Sequence, residues 1–146
     1  MTHDEMAAFF DRYMRAFERE DIDALLECYG PNCEITSPMF PSVRGTASIE
    51  ASFQDVFRAF GDLTLRIDDV IVETQAGDGA VKAAVVVTAH ARHKGEIFGL
   101  PGSGRRVETQ MVFVFRVKDQ RITSERRLYD FTGLLVQLGV LRTKHV

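Results

Sequence analysis

Residues 106–131 read RVETQMVFVFRVKDQRITSERRLYDF. Two β-rich runs, 106–118 and 121–131, flank the polar triplet Lys118-Asp119-Gln120, which is the pattern of antiparallel strands joined by a tight turn. Residues 63–75 and 80–97 have the same texture, broken by AGDG at 76–79 and GLPGSG at 99–104. The second half of the chain therefore predicts four strands in succession.

Upstream the period changes to that of helices. Thr2 and Glu5 form a capping-box pattern, after which Met6, Phe9, Phe10, Tyr13, Met14 and Phe17 recur at helical spacing. A short second helix follows, with Asp21 or Asp23 as cap and Gly30-Pro31 as its stop, and CEITSP at 33–38 predicts a short strand. Ile49, Phe53, Val56, Phe57 and Phe60 form the apolar stripe of a third helix, with Thr46 or Ser48 as cap and Gly61 beyond its end. Helices first and strands after indicate an α+β fold with an antiparallel sheet. The expected architecture is a strongly curved sheet with three N-terminal helices on its concave side, closing a cone-shaped barrel around a pocket. No repeat, low-complexity tract or linker divides the 146 residues, so a single domain, 1–146, is expected.

Composition narrows the function. A net charge of −3 with scattered basic residues offers no footprint for nucleic acid. No window approaches the ~18 apolar residues of a membrane span, and the acidic start MTHDEMAAFF lacks the features of a signal peptide, so a cytoplasmic protein is expected. Cys28 and Cys33 match no metal spacing and read as buried structural thiols. GLPGSGRR lacks the spacing of a phosphate loop, and no nucleophile elbow, HExxH or EF-hand order occurs. No metal and no cofactor are expected. Eleven Phe with no Trp suit a dense core or an apolar ligand cavity.

Strand parity then selects candidate residues. Val81, Ala83, Val85, Val87, Ala89 and Ala91 form an apolar row whose next member is His93, either a hydrogen-bonded histidine at the sheet rim or a proton donor lining the pocket. In the last strand Ile122, Ser124, Arg126, Leu128 and Asp130 share one parity, taken as inward because it carries two apolar members. Asp130 would then end an inward row, where desolvation makes a carboxylate a useful base. Equally, DFTGLLVQLG at 130–139 could open a short helix with Asp130 as N-cap.

The stretches AFEREDIDALLECYGPNCEITSP, GTASIEASFQDVFRAF, HKGEIFGLPGSGRRVE and ERRLYDFTGLLVQLG run in the order of the nuclear transport factor 2-like superfamily. Their D-x-x-x-L-L-x-Q-L-G ending resembles the SnoaL-like polyketide cyclases. The resemblance implies a cone-shaped α+β barrel, a homodimer packed through its sheet, and a cofactor-independent aldol cyclisation. In that chemistry the pocket acid, at Asp130, takes a proton from carbon next to a carbonyl. It also implies an auxiliary role for His93. One departure stands out: Glu125-Arg126 occupies the place of a common His-Trp pair. That substitution puts a large cation where it could meet an anionic ligand or pair with Asp130.

Two hypotheses follow. In the first, the chain is a cyclase or isomerase-type enzyme acting on a small apolar or polyketide-like ligand. Asp130 and His93 would be catalytic, and Tyr13, Phe17, Tyr29, Phe40, Phe57, Phe98, Met111 and Arg126 would form the binding walls. In the second, it is a non-catalytic small-molecule-binding dimeric module of the same fold. A cavity of a few hundred Å³, within the ~300–1,000 Å³ of ligand pockets, reaching Asp130 would mark the first. A cone filled by Phe would mark the second. The outward set Thr123, Glu125, Arg127 and Tyr129 would supply the dimer interface.

Overall fold

The computed structural model describes residues 2–73 and 78–142. Helix α1 (His3–Glu18) begins at the expected capping box: Thr2 Oγ1 accepts from Glu5 N at 3.1 Å and Glu5 Oε2 accepts from Thr2 N at 3.0 Å. Helix α2 (Ile22–Glu27) is capped by Asp21, whose carboxylate accepts from Ala24 N. Strands β1 (Tyr29–Thr36) and β2 (Val43–Arg44) follow, then α3 (Thr46–Ala59), β3 (Phe60–Glu73), β4 (Val81–His93), β5 (Arg106–Lys118), β6 (Arg121–Tyr129) and α4 (Phe131–Gln137).

Several boundaries differ from expectation for local reasons. Gly30 and Pro31 do not stop α2 but lie inside β1, which starts at Tyr29. Neither Thr46 nor Ser48 caps α3; Gly45, at φ 86°, takes the N-cap position. Phe60 and Gly61 open β3 instead of ending the helix. Strand β4 stops at His93 because Lys94 N and Gly95 N bond to Ala59 O, turning the chain off the ladder. Residues 74 and 75 of the first expected strand, and positions 76 and 77 of the following turn, lie outside the described residues.

The six strands form one curved sheet in the order β2-β1-β6-β5-β4-β3, with no pairing between its two edges. Its pairs are antiparallel except β1 against β6, which run parallel. That pair departs from the all-antiparallel expectation, and joining β1 to β6 takes the chain through the rest of the fold. Irregularities in the β3–β4 and β5–β6 ladders add twist where the sheet wraps its helices.

The core lies between the concave face and helices α1–α3. Phe10, Tyr13, Met14 and Phe17 of α1 and Ile49, Phe53 and Phe57 of α3 meet Val85, Val87, Phe113 and Phe115 of the sheet. The ring contacts include Phe10 on Phe115 at 4.5 Å and Phe53 on Phe57 at 5.8 Å. Much of the phenylalanine surplus thus fills the cone beside α1. The remaining space lies toward α4, where Ala59, Phe60, Val107, Leu134 and Leu138 form a second cluster. Among the described residues, no helix is long and apolar enough to cross a membrane.

Candidate functional site

A bulge in β6 determines which side chains enter the cone. Val117 pairs with Ile122, yet Arg116 pairs with Ser124, leaving Thr123 as the extra residue. Thr123 Oγ1 donates to Arg116 O at 3.2 Å. Beyond the bulge, inward-facing Phe115, Phe113 and Met111 stand opposite Glu125, Arg127 and Tyr129, and directly paired residues share a face. Ser124, Arg126 and Leu128 face outward and are exposed.

Glu125, Arg127 and Tyr129 were expected outside, and Arg126 and Asp130 inside; the structure reverses this assignment. Ile122 alone of the expected inward row is buried beside the core, because it precedes the bulge. Asp130 follows the end of β6, is exposed, and accepts from Gly133 N at 2.8 Å as the N-cap of α4. Arg126 lines an outer groove with Glu34, Lys82 and Arg116.

The inward carboxylate is Glu125, whose side chain has no solvent exposure. Its Oε1 accepts from Tyr29 OH at 2.6 Å and Tyr13 OH at 3.3 Å, the two phenols lie 2.7 Å apart, and its Oε2 accepts from Arg127 Nε at 2.5 Å. The Arg127 guanidinium carbon lies 5.5–5.9 Å from the ring centroids of Phe17, Phe53 and Phe113, within cation–π range. Burial works against the Arg127 charge, but Glu125 and the two phenols outweigh it and its pKa is raised. Burial, reinforced by the Glu125 charge, also raises the pKa of Tyr13 and Tyr29. The cluster is thus an ion pair with neutral phenols. Its guanidinium Nη2 is buried and has no hydrogen-bond partner.

Above that guanidinium is an apolar chamber of about 100 Å³. Phe17, Phe40, Phe60, Met111, Phe113 and Leu134 supply much of its wall, with Ser37, Thr109, Arg127 and Tyr129 as its polar lining. Ser37 Oγ and Tyr129 OH are 3.2 Å apart, and Ser37 Oγ also accepts from Met39 N. Burial raises the Tyr129 pKa, opposed by the Ser37 hydrogen bond and the Arg127 charge. An outer groove of about 370 Å³ shares Met39, Phe40, Val56 and Phe60 with the chamber and adds Ile97 and Phe98.

The loop over this groove is fixed from below by His93. His93 is 1% exposed, its Nδ1 lies 2.9 Å from Ser103 Oγ and accepts from Ser103 N at 3.3 Å, and its backbone bonds Arg105 O and Gly104 N. Its Nε2 is buried without a partner. The ring stands 6.0 Å from Phe60 and is not part of the chamber wall. Gly102 is required here, because a Cβ would meet Lys94 O at 2.1 Å.

The other sequence candidates divide as follows. Phe17, Phe40 and Met111 line the chamber, while Phe40 and Phe98 line the groove. Phe98 also packs against Phe131 at 5.7 Å. Tyr13 and Tyr29 lie beneath the chamber as supports of Glu125, and Phe57 packs against Phe17 and Phe53 in the core. Parity reading missed Arg127 because its strand was counted from the wrong side of the bulge. The available signal was the alternation of Phe113 and Phe115, which the hairpin partner must match after the extra residue.

A cavity reaching Asp130 is therefore not what the cone contains: the chamber reaches Arg127 and is smaller than expected. Among the described residues, no group of three His, Cys, Asp or Glu could hold a metal ion.

Comparison with known proteins gives concordant matches. The sequence model described as SnoaL-like polyketide cyclase matches residues 7–138. The nogalonic acid methyl ester cyclase of Streptomyces nogalater is 28% identical, covering 75% of this chain and 87% of that protein. The aklanonic acid methyl ester cyclase DnrD of Streptomyces peucetius is 26% identical, covering 68% and 65%. Among solved structures, TsrD from Streptomyces laurentii superposes with a TM-score of 0.80 at 28% identity, covering 97% of this chain and 99% of TsrD.

Proposed function

The chain belongs to the SnoaL-like polyketide cyclase family, and from that premise we propose that it is a cofactor-independent cyclase or isomerase-type enzyme acting on carbon next to a carbonyl. The ligand is a small, apolar, polyketide-like molecule bound in the chamber and its outer groove. The observation that carries this reading is Arg127, the single cation among the described residues of a chamber wall otherwise uncharged and mostly apolar.

Proton loss beside a carbonyl places negative charge on oxygen, and an apolar pocket penalises that charge unless a donor is already aimed at it. Arg127 is held by Glu125, Tyr13 and Tyr29, so it needs no reorganisation when the charge develops. Tyr129, with its raised pKa, stays protonated and serves as a second donor. Among the described chamber-lining residues there is no carboxylate or histidine. That leaves water entering from the groove, or a basic oxygen of the ligand, as proton acceptor. Asp130 supports the site by capping α4, which carries the lining residue Leu134.

The test is hydrogen–deuterium exchange at the methyl group of acetophenone in D2O, followed by NMR. The enzyme should accelerate it over buffer; no acceleration in ketone that demonstrably binds removes the catalytic reading. The alternative is a non-catalytic binding module. The chamber's small volume, about 100 Å³ against the ~300–1,000 Å³ of ligand pockets, favours it, and it predicts binding without exchange.

We also propose a homodimer through the outer sheet face. Ile71, Ala84, Val86, Val112, Val114 and Leu128 form an apolar strip across four neighbouring strands there. Ile71 is 57% and Leu128 46% exposed, and contiguous exposed apolar surface marks an interaction site.

A further inference from the structure

We infer that Arg127 is the carbonyl-binding residue of this site and that its ligand is an uncharged, elongated compound ending in a small acyl group, inserted tip first. This rests on the carbonyl chemistry proposed above and specifies the form of the ligand.

Three observations converge on it. Three buried side-chain polar atoms lack partners among the described residues, on Arg15, His93 and Arg127, and of these residues only Arg127 lines the chamber. A buried guanidinium with unused donor capacity is costly, so an acceptor oxygen brought to the Arg127 guanidinium from the chamber is strongly rewarded. The charge balance then selects the kind of oxygen. Glu125 already neutralises the guanidinium, so a carboxylate ligand would bring a net negative charge into an apolar space, whereas an enolate formed in place is balanced by the proton it has just released. A carbonyl takes the same hydrogen bond with no net charge.

Size selects the shape. At about 100 Å³ the chamber is smaller than the ~300–1,000 Å³ of pockets that take a whole ligand. It therefore takes one end of the ligand, such as an acyl group, and not its whole body. The body of the ligand lies in the groove of about 370 Å³ against Phe40, Ile97 and Phe98. Phe98, 47% exposed and held at φ 53°, presents an aromatic face that a flat body can cover.

The experiment compares three naphthalenes by NMR titration at neutral pH: 2-acetylnaphthalene, 2-ethylnaphthalene and 2-naphthoate. The expected order places the ketone about tenfold or more ahead of the hydrocarbon, as a hydrogen bond to a charged donor implies, with the carboxylate weaker than the ketone. Arg127→Met leaves Glu125 buried and unpaired, so the folded comparison is the neutral double variant Glu125→Gln/Arg127→Met, checked by circular dichroism. In it the ketone's advantage over the hydrocarbon should fall to within about threefold; Arg127→Lys, which loses the planar guanidinium, should also reduce it.

Tightest binding of naphthoate, an advantage that survives both changes, or failure of all three compounds to bind would overturn the inference. Because binding is read without turnover, Arg127-dependent ketone binding with no exchange at the acetyl group would sustain it while removing the enzymatic reading. Accelerated exchange unaffected by the double change would do the reverse.

Discussion

Glu125 and Arg127 stand two positions apart on β6, both turned into the cone, with the Arg127 Nε donating to Glu125 Oε2 at 2.5 Å. Their pairing makes a cation available to an apolar chamber without leaving it unbalanced. Removing one member of such a buried pair strands the other, at about 3–5 kcal/mol, whereas replacing both with neutral groups is far less costly. Urea denaturation should therefore show Arg127→Met and Glu125→Gln each strongly destabilised and the double variant recovering more than half of either loss. Additive losses would mean that the two side chains are not coupled.

Alkaline pH should expose the phenol cluster. All three tyrosines of the chain have pKa values raised chiefly by burial. The folded state therefore holds phenolic protons that the unfolded chain releases near pH ~10. That contribution to stability is complete below about pH 10 and is lost as pH rises through the folded values. Tyrosinate absorbance should stay low past pH 10 and rise together with loss of circular dichroism. A full tyrosinate signal at pH 10 in folded protein would contradict the cluster.

Asp130 separates a cap from a base. Asn caps a helix about as well as Asp, so Asp130→Asn should leave thermal stability and any ketone exchange nearly unchanged. Asp130→Ala should cost about 0.5–2 kcal/mol. A fall of about 10²–10⁴ in exchange rate for a stable Asp130→Asn would instead assign it general-base work.

The outer face carries the assembly prediction. Light scattering at micromolar concentration should give a dimer mass, and Val112→Glu with Leu128→Arg should give a folded monomer. A wild-type monomer would remove the proposed interface.

The helix stripes and the strand runs after residue 63 were readable from the sequence because each rests on a repeated period over many residues. Met6 to Phe17 and Val81 to Ala91 each repeat a single rule. The face of β6 was not, because one inserted residue, Thr123, inverts every side chain beyond it. With that inversion went the true inward cation, Arg127, and the misplaced one, Arg126. The parallel pairing of β1 with β6 has no local signature, since it joins segments about ninety residues apart. Phe17, Phe40, Phe98 and Met111, named from apolar character, lie along the chamber or groove, whereas Ser37 and Tyr129 meet only through the fold.

The central claim is that the Arg127 guanidinium binds a carbonyl oxygen inside the cone. It is tested most directly by the ¹³C resonance of 2-acetylnaphthalene labelled at its carbonyl carbon, because a charged donor polarises the C=O bond and moves that signal downfield. The account predicts a downfield shift of the bound ketone on the wild-type protein and its loss in the folded Glu125→Gln/Arg127→Met variant. A bound carbonyl with its free-solution shift, or one shifted equally in both proteins, would contradict it.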